Sequence, residues 1–186
     1  MKPKTLILSI GILWLHPYVS CGQVSINELF MLKNGISKLE TLSALQTQPN
    51  VQDIDRFSDN QINYSRSANL FMANNKNLTL LIFNQDKLWQ QNLRIWYNYG
   101  QYQMCISKYN EIIKSFSSKL YNKEPYDQTN PDTKEKIGEG VQISKKSNPN
   151  WIINIFYIAE FEKRTGKIED YELDAILVDK TLQPSN

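Results

Sequence analysis

The spacing of apolar residues along the chain changes period several times, and each change marks an element. Leu29, Leu32, Ile36, Leu39 and Leu42 recur at three- and four-residue steps, which is the stripe of an amphipathic helix running to about Thr47. Ser25 and Glu28 have the spacing of a capping box ahead of it, and Val24 and Leu29 are placed to close a hydrophobic staple. Gly35 lies inside the stripe, where glycine costs about 1 kcal/mol relative to alanine and marks a candidate break. Pro49 closes the segment. Residues 50–60 (NVQDIDRFSDN) are polar and turn-rich and read as a connection.

The period then becomes extended. Residues 62–72 and 78–83 read as two strands with a turn at 74–77. Over 92–99, Leu93, Ile95, Tyr97 and Tyr99 alternate with Arg94, Trp96 and Asn98, which suits a half-buried strand. Gly100 allows a turn, and Tyr102, Met104 and Ile106 continue the alternation on a returning strand. A helix is expected from Lys108 to about Leu120, with Tyr109, Ile112, Ile113, Phe116 and Leu120 as its stripe, and a start near Gln101 fits the same residues. Residues 122–132 contain two prolines and read as a loop or internal linker. Residues 140–145, 151–159 and 171–178 read as three further strands, the middle one apolar on both faces, and 181–186 as a loose tail.

No internal repeat is visible. The short links between successive strands favour hairpins over crossovers. The expected fold is therefore α+β, a single domain over 23–180 with a mainly antiparallel sheet of about five to seven strands packed with two main helices.

The first 22 residues have a different logic. Lys2 and Lys4 precede an apolar run over 5–15, followed by His16 and Pro17. That run is too short for a transmembrane helix, which needs about 20 apolar residues, and it has the layout of a secretory signal. Residues 18–23 (YVSCGQ) fit two processing rules. Ser20 and Gly22 are small residues at the positions signal peptidase reads, giving a mature chain from Gln23. Alternatively, Val19 and Ser20 lead into Cys21 as in a lipobox, with Tyr18 standing where an aliphatic residue is usual, and Cys21 becomes the acylated first residue.

Removing the signal changes the chemistry that composition allows. The whole chain has 21 basic and 19 acidic residues, and losing Lys2 and Lys4 brings the two to parity. No basic cluster is left to recommend nucleic acid as a partner. The single histidine, His16, also goes. Imidazole-based triads, Cys-His pairs and the common zinc sites are thereby excluded. Cys105, flanked by Met104 and Ile106, reads as buried filler more readily than as a nucleophile.

Two constellations could carry function. Glu172 and Asp174 stand two apart on an expected strand, about 7 Å from each other on one face, with Asp170 on the same face. Paired carboxylates at such distances serve glycoside hydrolysis, but neighbours on one strand are more often a solvated face. Trp96, with Arg94 and Asn98 on the polar side of its strand, suits stacking on a sugar or a partner's side chain. Calcium loops starting at Asp53 or Asp170 fail at the glycine and the final glutamate. No phosphate-binding glycine loop is present, so neither cofactor nor metal is expected.

The signal ending in SCGQ, the Asn/Lys/Ile/Tyr-rich composition and the strand–turn–strand–helix segment over 92–116 resemble small exported proteins and lipoproteins of Bacteroidota. That resemblance implies an exported location and an α+β fold, and carries over no functional residue. The expectation is a noncatalytic binding or structural module in the periplasm, on the outer membrane surface or outside the cell. Its partner would be a protein or a carbohydrate, and its only membrane link a lipid at Cys21. The alternative is a carboxylate-dependent hydrolase of glycans or peptidoglycan using Glu172 and Asp174.

Overall fold

The computed structural model describes residues 29–67, 76–162 and 165–185. The signal segment, Cys21, the Ser25–Glu28 pair and the end of the strand expected over 62–72 lie outside the described residues.

Gly35 does break the first apolar stripe. It adopts φ +91°, a backbone region that costs glycine little, and its N–H donates to the Leu88 carbonyl at 2.7 Å. A helix starts after it, α1 (Lys38–Gln46). Ser37 is the N-cap: its backbone N–H donates to Glu40 Oε2 at 2.7 Å, and its hydroxyl accepts from the Glu40 N–H at 3.2 Å. The reciprocal bond satisfies donors that a helix start otherwise leaves free.

Eight strands follow in two runs of four. The first comprises β1 (Val51–Ser58), β2 (Gln61–Arg66), β3 (Asn77–Asn84) and β4 (Lys87–Asn98). A 3-10 turn at Tyr99–Gln101 leads into α2 (Tyr102–Ser115). The second run is β5 (Tyr121–Thr129), β6 (Lys136–Lys145), β7 (Asn148–Phe161) and β8 (Ile168–Asp179), closed by a 3-10 turn at Lys180–Leu182. All eight form one antiparallel sheet in the order β1-β2-β3-β4-β8-β7-β6-β5. A short helix followed by a four-stranded meander thus occurs twice, and the last strands of the two meanders pair at the centre. This duplication of architecture leaves no trace as a sequence repeat.

The expected fold, α+β on five to seven strands, is overturned: the protein is a mixed helix-and-sheet structure that is mostly sheet, with eight strands. Two strands account for the difference. β1 occupies the stretch read as a polar connection, and β5 the stretch read as a linker. Both are edge strands, whose composition guards against unwanted pairing rather than filling a core. β1 carries irregular register on both sides of Asp55, and β5 carries Pro125, which an edge strand tolerates. The returning strand expected after Gly100 is instead the first turn of α2. Tyr102, Met104 and Ile106 alternate as a strand would, but they flank the buried stripe, which is Cys105, Tyr109 and Ile112 at helical spacing. Between β3 and β4, Gln85 and Asp86 at φ +46° and +63° make the tight two-residue hairpin turn.

Both helices lie on one face. Leu42 and Leu45 of α1 pack over Ile62, Tyr64, Leu81, Phe83 and Leu88. Cys105, Tyr109 and Ile112 of α2 pack over β4 and β6–β8, where Ile95, Leu173 and Ile155 form part of a larger cluster. Each strand therefore points one set of side chains under the helices and the other to an opposite face. No helix among the described residues covers that second face.

Candidate functional site

The uncovered face is where the residues singled out from sequence converge. Register places Arg94 opposite Asp174, Trp96 opposite Glu172 and Asn98 opposite Asp170 across β4 and β8. On the other side of β8, Phe156, Ile158 and Glu160 of β7 stand opposite Asp174, Glu172 and Asp170. Alternation then puts all of these on one face.

Their side chains interlock across the central seam. Arg94 grips Asp174 with two bonds, Nε to Oδ1 at 3.0 Å and Nη2 to Oδ2 at 2.9 Å. Its Nη1 donates to Glu172 Oε1 at 3.2 Å and lies 3.1 Å from Oε2. The indole N–H of Trp96 donates to the same Oε1 at 2.7 Å, and the guanidinium stands over the Trp96 ring, 5.8 Å from its centroid. The paired, forked geometry is the strongest form of Arg–carboxylate contact.

Burial here differs from expectation. Glu172 and Asp174 are 2% and 5% exposed, so this is no solvated carboxylate face. Trp96, Phe156 and Ile158 wall the pair in, and Tyr126 closes the row farther out. In that row Asp174, Phe156, Gly140 and Tyr126 follow one another across β8, β7, β6 and β5. Gly140 is needed there, because a Cβ would strike the Tyr126 ring. The Arg94 side chain remains 44% exposed, and Glu160 is exposed.

The electrostatics follow from that arrangement. Burial pushes the Glu172 carboxyl up to about 7, against the pull of Arg94, and the hydrogen bond that protonated Glu172 donates to Glu160 and the charge of Asp174 push the same way. Burial also raises Asp174 above the ordinary carboxylate range, with Arg94 opposing it. One guanidinium thus faces more carboxylate than it can neutralise. Glu172 therefore changes charge near neutral pH.

Arg94 and Glu160 give Glu172 and Asp174 their meaning, and sequence reasoning does not join them to the pair. Arg94 is legible as Trp96's neighbour, but its carboxylate partners depend on a register between strands about 80 positions apart.

Elsewhere, a cleft of about 470 Å³ opens beside Trp151, with Phe30, Leu32 and Leu177 among its walls, and one of about 400 Å³ lies between Tyr109 and the β5–β6 edge. Neither contains Glu172, Asp174 or Trp96. Cys105 is fully buried, and burial pushes its thiol up to about 12, which removes thiolate chemistry. Among the described residues no cluster of carboxylates and thiols is arranged to hold a metal ion.

Chemically, the buried carboxylates cannot touch a substrate while their oxygens serve Arg94 and Trp96. The groups offered outward are the guanidinium, the indole ring and Glu160. Comparison with known protein families, with characterised proteins and with solved structures returns no match.

Proposed function

We propose that the chain is an exported, noncatalytic binding module of the cell envelope or secreted fraction, and that it binds through the uncovered sheet face around Arg94 and Trp96. The observation that carries this is the half-exposed Arg94, fixed in place by two almost fully buried carboxylates. A side chain held by three bonds loses little further freedom on binding, which is what a recognition group requires. The secretory layout of the first 22 residues supports the location.

The hydrolase reading draws on one observation, the raised carboxyl of Glu172 beside a further carboxylate, Glu160. A general acid must reach the leaving group within hydrogen-bond distance, and Glu172 is 2% exposed with Oε1 already accepting from Trp96 and Arg94. The binding reading requires no such rearrangement.

The test uses the purified mature chain and isolated envelope fractions of the source cells. Retention on those fractions should fall in the double variant Arg94→Ala/Trp96→Ala while melting still shows a folded protein. Release of reducing sugars or amines from the same fractions should be absent. Turnover that vanishes in Glu172→Gln would overturn the proposal in favour of hydrolysis. Mass spectrometry of the mature N-terminus tests export itself: an acylated Cys21 or a free Gln23 is expected, and a retained Met1 refutes it.

A further inference from the structure

The uncovered face is unequal in charge. It carries Asp55 of β1 opposite Asn63, Glu124 of β5 opposite Gln142, Glu160 of β7, and Asp170, Glu172 and Asp174 of β8. Arg94 is the base in the central rows. The helix-bearing face is mixed in charge: Lys108 pairs with Glu111 on α2, Lys136 pairs with Asp127 and Glu139, and Lys123 donates to the Ile113 carbonyl.

Within the acidic face, Glu172 is left short of donors. It is 2% exposed, and its Oε2 accepts no hydrogen bond. Facing it are Arg94 and Trp96 from β4, Asp170 and Asp174 on its own strand, and Glu160 from β7. Arg94 already supplies Glu172 with a cation at 3.1 Å, and the acids this face offers outward are Glu160 and Asp170. Apolar side chains share the face with these acids. Leu78 is 36% exposed, and Phe156, Ile158 and Ile176 are half-buried. Aliphatic floor, indole ring and unmatched carboxylates together fit a long aliphatic stem ending in positive charge.

We propose that this face docks a basic polypeptide segment, with a lysine or arginine side chain seated against Glu160 and Asp170 beside Trp96. This rests on the binding-module reading and adds the chemistry of the partner. A second copy of the chain fits less well, because its own exposed bases are scattered over strands, helices and turns, with Arg56, Lys87, Lys136 and Lys145 on three different strands. A neutral glycan would leave the excess carboxylate charge unmatched.

The probes are oligolysine, oligoglutamate and a neutral oligosaccharide, titrated into the full mature chain with tryptophan emission as readout and Trp96→Phe as the control that assigns the signal. Oligolysine should bind and oligoglutamate should not. Binding should weaken with added salt and fall by about tenfold or more in Glu160→Lys/Asp170→Lys, a pair of positions that are not fully buried. It should also be a few-fold tighter at pH 8 than at pH 6, because Glu172 regains its charge across that interval, and Glu172→Gln should abolish this pH dependence. Oligolysine binding unchanged in the charge-reversed variant overturns the proposal, as does preference for the oligosaccharide or concentration-dependent self-association in place of peptide binding. These results leave the binding module standing with another partner, whereas turnover lost in Glu172→Gln removes the module reading itself.

Discussion

The two faces of the sheet bury side chains by different physics. Under the helices, Ile95, Leu173, Ile155 and Phe116 are removed from water by aliphatic and aromatic neighbours, and the gain is proportional to the area covered. On the opposite face, Glu172 and Asp174 are buried to a similar degree with no helix of the described residues above them, held by one arginine, an indole N–H and a wall of β7 side chains. The first arrangement is indifferent to pH. The second is sensitive to it, because its cost depends on which carboxylates are ionised. Equal burial therefore does not mean equal contribution to stability.

The contrast predicts a graded set of outcomes. Phe116→Ala on the covered face should cost about 3–5 kcal/mol, and denaturant melts at pH 5.5 and pH 8 should give the same loss. Arg94→Ala should cost about 3 kcal/mol at pH 8, since it strands two buried carboxylates, and clearly less at pH 5.5, where protonation relieves them. Equal losses at both pH values would show that the seam's charges are solvated. Glu172→Gln should have a smaller effect of opposite sign. A carboxyl whose pKa is raised on folding binds more protons folded than unfolded, so its stabilising contribution is present below its ordinary value and is lost as pH rises toward about 7. The variant should flatten that fall and gain about 1–2 kcal/mol at pH 8, read from melting midpoints across the interval. Last, Leu78→Ser on the uncovered face should stay within about 0.5 kcal/mol.

Legibility from sequence follows the same division. Strands β3, β4, β6, β7 and β8 are readable where one side chain set enters a core, because burial imposes the period-two pattern. β1 and β5 are not, because an edge strand holds its place by hydrogen bonds to a single neighbour, and residues such as Asp53, Asp55, Glu124 and Pro125 answer to solvent and to negative selection against pairing. The start of α2 reads as strand because Tyr102, Met104 and Ile106 alternate, while the helical stripe of Cys105, Tyr109 and Ile112 shows only over a longer span. In the site, the common face of Glu172, Asp174 and Asp170 is visible from spacing alone, and so is that of Arg94 and Trp96. That these two sets are one cluster is invisible, since pairing of β4 with β8 is a property of topology. Burial of the carboxylates is hidden for the same reason: charge on a strand reads as solvated until its counter-ion is found.

The sheet order also governs the time at which the molecule becomes whole. β8 comes after β5, β6 and β7 in the chain yet pairs at the centre, beside β4. As the polypeptide emerges, the first meander must wait with β4 as an open, apolar-backed edge until β5, β6 and β7 have all appeared. Only then does the last strand close the gap, and contacts of such separation form slowly. During that interval β4 is the most vulnerable strand to misplaced pairing. Removing β8 would cut the sheet in two, whereas losing β1 or β5 would only trim its margin.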